Sequence, residues 1–120
     1  MRVHYLGPLM KRRGASHPAL RGYDVSYFPA SCFLVEVGDE AGIEGPIIEG
    51  DVLVVDEQRP AQHADLVLLE SQGETRLYHS HRIGGRLRVM QTVGPHESFW
   101  ASETDLRGVV VHQARRMAVV

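Results

Sequence analysis

Within residues 74–81, "ETRLYHSH", two histidines stand two positions apart, His79 and His81. On a β-strand that spacing projects both rings from one face, a geometry that can supply two zinc ligands. The third ligand would have to come from His63, His96, Glu70 or Glu74, and nothing in the spacing selects one. The plain alternative is a pair of solvent-facing histidines on a half-exposed strand, with no metal and no cofactor. A second stretch, "GDEAGIEGPIIEGD" at 38–51, frames a short acidic loop between two Gly-Asp pairs and runs into the apolar "VLVVD". It has the outline of an active-site loop, yet its central side chains, Glu40 and Ala41, carry no hydroxyl. The single cysteine, Cys32, lies in an apolar run beside Phe33 and Leu34. That setting predicts a small buried hydrophobe rather than a nucleophile, because nothing next to it in sequence would lower its pKa.

The elements that must position these groups are strands. From residue 31 onward, short runs rich in Val, Leu and Ile alternate with Gly, Pro, Asp or charged clusters. The pattern predicts strands at 31–37, 51–56, 65–70, 74–81, 86–91 and 108–115. The short links "QG" at Gln72 and Gly73 and "IGG" at Ile83 to Gly85 are hairpin signals, so neighbouring strands should be mostly antiparallel. No apolar repeat of 3.6-residue period is sustained, and the one helical turn expected is near Pro60 to His63. Residues 1–28 are broken by Pro8, Gly14, Pro18 and Gly22 and read as an irregular arm, followed by a single mainly β domain over 29–120.

The chain has 120 residues, of which 43% are apolar, enough for one compact core and too few for a second. Thirteen Lys and Arg against fifteen Asp and Glu leave a net charge of −2. Such a sum gives no overall positive field, so direct DNA binding is not expected. The densest basic spot, Lys11 to Arg13, reads as a solvated segment. One cysteine excludes an internal disulfide, and no apolar stretch of membrane-spanning length occurs. A cytoplasmic protein is the expectation. Phe99 and Trp100 are read as core aromatics, with an exposed contact patch as the alternative.

Four ordered blocks carry a resemblance. "FLVEVGD" precedes the acidic loop, "EGDVLVVD" follows it, "AQHADLVLLESQGET" leads into the next hairpin, and "RGVVVHQARRM" lies near the end. From about Pro29 to Met117 the chain resembles the C-terminal domain of LexA-type repressors and their UmuD-type relatives, self-cleaving serine peptidases of the bacterial DNA-damage (SOS) response. "HADLVLL" and "GVVVH" look most like the UmuD branch. The resemblance implies a β peptidase fold and a Ser-Lys dyad, in which an uncharged lysine takes the proton of a serine in the loop.

Carried onto this chain, the serine position falls on Glu40 or Ala41 and the lysine position on Tyr78. Lys11 is the only lysine, so residues 14–120 hold none, and arginine cannot act as the base because it stays protonated. The Ala-Gly or Cys-Gly bond that family members cut in their arm is also missing from residues 1–37.

The expectation is therefore a catalytically inactive UmuD/LexA-like domain with no cofactor. It would act as a homodimeric accessory protein in the DNA-damage response, with a translesion DNA polymerase or the recombinase filament as partner. The resemblance puts the dimer interface on the last strand, at Val109, Val110, Val111, His112 and Arg115, where pairing would also cover an aggregation-prone β edge. Two alternatives stand beside it: a hydrolase or self-cleaving peptidase rebuilt around Glu40, Tyr78, His79 and His81, and a stand-alone transcription regulator. The second is disfavoured because 28 residues broken by Gly and Pro cannot hold a helix-turn-helix.

Overall fold

A computed structural model describes residues 1–9, 18–20, 24–92 and 97–115. Eight strands form one antiparallel sheet: β1 (Val3–Pro8), β2 (Cys32–Val37), β3 (Val52–Asp56), β4 (Leu66–Ser71), β5 (Glu74–Ile83), β6 (Arg86–Gln91), β7 (Ser98–Trp100) and β8 (Leu106–Ala114). Their order across the sheet is β1-β2-β3-β8-β4-β5-β6-β7. The mainly β, mostly antiparallel expectation holds, and each of the six expected strands lies within two residues of its place. Among the described residues no helix is long and apolar enough to cross a membrane.

The sheet curls until its first strand meets its fifth. Arg2 bridges to Arg76, and the Leu77 N–H donates to the Met1 carbonyl at 2.8 Å. The curl encloses Val3, Val35, Val37, Leu53, Val55, Leu68 and Leu77 as one core cluster. Alternate residues of β2 and β3, among them Cys32, Leu34, Val52 and Val54, point outward and are covered by Leu9, Ala19 and Leu20. Both faces of β3 are thus buried, which is why "VLVVD" is continuously apolar instead of alternating. A third cluster, with Val67, Leu69, Leu87, Val89 and Val109, packs β4, β6 and β8 together on the outer side.

The turns have the expected chemistry. Gln72 and Gly73 have φ of 54° and 78°, and Gly84 and Gly85 have φ of 58° and 82°, so both two-residue hairpins need left-handed backbone. Gly108 is required for a different reason. A Cβ built there would lie 2.6 Å from Val55 Cγ1 and 2.9 Å from the Asp56 carbonyl oxygen, where β8 crosses close to β3.

Three expectations are corrected. Residues 1–28 do not form a wholly irregular arm: β1 pairs along β2, and Met1, Val3, Leu9, Ala19 and Leu20 are core residues. The Gly7–Pro8 pair that suggested a break sits at the strand's end, beyond a register shift between Tyr5 and Gly7. No helical turn forms at Pro60 to His63. The Ala61 carbonyl accepts from Arg82, and the Gln62 carbonyl accepts from the Ser80 hydroxyl of β5 and from the Asp65 N–H at 3.4 Å, in a turn whose Ala64 has a left-handed φ of 68°. The short helical turns lie at Pro18–Leu20, Val25–Tyr27, Asp39–Ala41 and Glu103–Asp105. Finally, β8 is not an edge strand. It pairs with β3 on one side and with β4 on the other. The basic run Lys11 to Arg13 and His96 lie outside the described residues.

Candidate functional site

The loop between β2 and β3 is held at both of its Gly-Asp ends. At the first, the Gly38 N–H donates to the Arg2 carbonyl at 2.9 Å, and Asp39 to Ala41 make one tight helical turn. That turn buries Ala41 in the core cluster that contains Leu77, and it turns Glu40 toward β1 and β5. The Glu40 carboxylate accepts from the Arg2 N–H and lies 3.5 Å from the Met1 ammonium and 3.7 Å from Arg76 Nη1. Burial pushes its pKa up, but the Arg2 N–H, the Met1 ammonium and Arg76 outweigh that and hold it below the ordinary glutamate range.

At the second end, Asp51 is fully buried. Its carboxylate accepts from the Ile48 N–H at 2.9 Å, from Gln113 Nε2 at 2.8 Å and from Arg115 at 2.8 and 3.0 Å. Burial raises its pKa, and these donors, Arg115 foremost, bring it net below the usual aspartate value. Gln113 also donates to the Pro46 carbonyl at 2.7 Å, so the end of β8 clamps the loop. The second Gly-Asp pair is therefore a structural anchor.

The residues that the sequence brings into one hypothetical centre are not together. Tyr78 faces away from the loop's apolar contact: Leu77 packs in the cluster with Ala41, whereas the Tyr78 ring packs edge-on against Phe99, centroids 5.4 Å apart. Burial raises the Tyr78 pKa. Glu40 is engaged with Met1, Arg2 and Arg76 instead. His79 is exposed, and His81 packs against His63 with ring centroids 5.1 Å apart. Of the proposed third ligands, Glu70 is bound by Arg107 at 2.7 Å and Glu74 by Arg76 at 2.9 Å. Among the described residues, no group of three or more His, Cys, Asp or Glu side chains is placed to hold a metal ion.

Cys32 is buried, and its thiol is pushed up to about 11 by desolvation and by the neighbouring Asp56 carboxylate. Of the residues expected at a dimer edge, only Val109 is fully buried, Val110, Val111 and His112 are partly buried, and Arg115 is exposed. Val110 and Val111 lie against two different core clusters, the His112 ring contacts Phe28, and Arg115 binds Asp51.

A feature that the sequence reading passed over is the face shared by β6 and β7. Arg86 and Arg88 both lie over the Trp100 ring, with guanidinium carbons 4.2 and 4.9 Å from its centroid. The alternation in "RLRVM", with Leu87 and Val89 buried, was the available signal that both arginines share one exposed face. Phe99 and Trp100 remain 45% and 40% exposed, so the core-aromatic expectation gives way to a surface one. No protein-family model matches the chain.

Proposed function

We propose that this chain is a catalytically silent β domain of the LexA/UmuD type that works by binding, as an accessory factor in the bacterial DNA-damage response. One observation carries the reading. The loop at the resembled nucleophile position reaches β5 through an ion pair, Glu40 with Arg76, and the side chains behind it are Ala41 and Leu77. A carboxylate held ionised by cations is a poor base, and a guanidinium cannot give up its proton at all. Chemistry of the Ser-Lys kind has no participants there, while the loop's anchors at Gly38 and Asp51 are intact.

The reading includes self-association. With both ladders of β8 occupied, this reading assigns the pairing surface to an outer strand of the sheet, β1 or β7. The partner in this reading is a translesion DNA polymerase or the recombinase filament. The test incubates the purified protein at alkaline pH, with and without activated recombinase filament, and follows intact mass and co-sedimentation. An unchanged mass with co-sedimentation, or with capture by a translesion polymerase, is expected. A specific self-cleavage fragment would sink the silent-domain reading, and failure to bind either partner would sink the accessory role.

A further inference from the structure

We propose that the exposed face of β5, β6 and β7 is a binding platform for single-stranded nucleic acid, with Trp100 as the stacking surface and Arg86 and Arg88 as phosphate contacts. The three strands bring the relevant groups into one row: His81 pairs with Arg88, and Arg88 pairs with Trp100. Pairs directly opposite on antiparallel strands share a face. Arg86 joins the row by lying over the same indole. Arg88 is held in place, its Nε donating to the Ser98 hydroxyl at 2.8 Å and its Nη2 to the Ser98 carbonyl at 3.2 Å. Leu87 and Val89 are spent on a core cluster on the opposite face of these strands, which leaves the face of Arg86, Arg88 and Trp100 free to bind.

Charge distribution distinguishes this face from most of the surface, Arg59 being the one other described arginine without a carboxylate in ion-pair distance. Arg2, Arg76, Arg82, Arg107 and Arg115 each pair with a carboxylate. Among the described residues, no carboxylate lies within ion-pair distance of Arg86 or Arg88. The outward positions of these strands, which include His79, His81, Met90 and Ser98, contain no acid. A net charge of −2 argues against a general attraction to DNA, but that sum averages over the whole surface, and among the described residues none of its acids occupies this face of the three strands.

The occupant follows from the combination of a partly exposed indole with two planar guanidinium groups that lie over its ring and have no described carboxylate within ion-pair distance. Bases of any sequence stack on aromatic rings and on arginine planes, while the adjoining phosphates take the charge. An acidic polypeptide would use the arginines and leave the indole idle. Duplex DNA keeps its bases stacked on each other and offers no face to Trp100. The inference uses no residue of the β2–β3 loop that carries the proposed function, and it shares with that reading only β7, one of the two outer strands offered for self-association.

Trp100 is the only tryptophan in the chain, so its fluorescence reports on this site alone. The experiment titrates the full chain with an oligothymidylate of about 15 nucleotides, a length within the usual footprint of such surfaces. Quenching and the anisotropy of labelled oligonucleotide are read together. Quenching at micromolar concentrations is expected. With two phosphate contacts, affinity should fall about sevenfold for a fourfold rise in salt.

Trp100→Ala, followed by anisotropy, should weaken binding about tenfold, and Arg88→Ala by a comparable factor. Arg88→Lys keeps the charge, removes the planar group and should recover part of that loss. Circular dichroism and the urea midpoint establish that each variant is folded. No quenching up to about 100 μM oligonucleotide at low salt would overturn the proposal, because stacking plus phosphate contacts should exceed that limit. So would unchanged affinity in the folded variants, equal affinity for a duplex, or equal quenching by polyglutamate, the last of which would assign the face to acidic polypeptides.

Discussion

Asp51 is a carboxylate without solvent access whose charge is matched by a guanidinium that is itself half exposed, with side-chain exposures of 0% and 50%. Replacing it with asparagine keeps the shape but puts an amide NH2 donor, in place of one acceptor oxygen, against donors that already point at it from Ile48, Gln113 and Arg115. Asp51→Asn should therefore cost about 2 kcal/mol in urea unfolding, in the range for hydrogen bonds to charged groups. The same residue sets a pH dependence. Its folded pKa lies below the unfolded value, so its stabilising contribution is complete above about pH 4 and is lost as pH falls through the depressed folded value. Asp56, held low first by the Ser31 hydroxyl at 2.6 Å, and Glu40 act in the same direction. Wild-type stability should decline steeply below that point, and Asp51→Asn should decline less. Parallel pH profiles of the urea midpoint would refute the assignment.

At the scale of elements, β8 is the strand on which the fold turns. It joins the β1-β2-β3 half to the β4-β5-β6-β7 half, and it does so where Gly108 lets β3 approach. Gly108→Ala puts a methyl group into Val55 and the backbone of Asp56, so it should destabilise by about 1–3 kcal/mol, the usual cost of overpacking. The measurement is the urea midpoint. An unchanged midpoint would mean that the two strands can separate freely. The strand runs themselves were legible because β-branched alternation and Gly-marked turns act locally. β7 was not, because three residues, Ser98 to Trp100, are too few to show a period. β1 was obscured by Gly7 and Pro8, which an edge strand tolerates at its end.

At the scale of the whole molecule, the core is assembled from both ends of the chain. Met1 and Val3 lie inside the curled sheet with Leu77, while Leu9, Ala19 and Leu20 cover the outer face of β2 and β3. A variant beginning at Pro29 would uncover Leu34, Val52 and Val54 on one face and Val35 on the other. It should lose cooperative thermal unfolding and bind a hydrophobic dye, where the full chain melts in one transition. An intact transition in the shortened chain would restore the first 28 residues to the role of a dispensable arm.

The class of fold, six of the strands and the two tight hairpins follow from the residues alone, because turn chemistry and side-chain alternation operate over neighbours. So does the lack of a Ser-Lys pair, since a chain whose one lysine is Lys11 cannot place another elsewhere. What only the tertiary structure decided is which residues become neighbours across long separations. It put Glu40 beside Met1 and Arg76, tied Asp51 to Arg115, enclosed β8 between two strands, and set Arg86 and Arg88 over Trp100. Each of these depends on strand order and on the closing curl of the sheet. Strand order is set by the summed burial of three clusters that draw on both ends of the chain, which no local window of sequence contains.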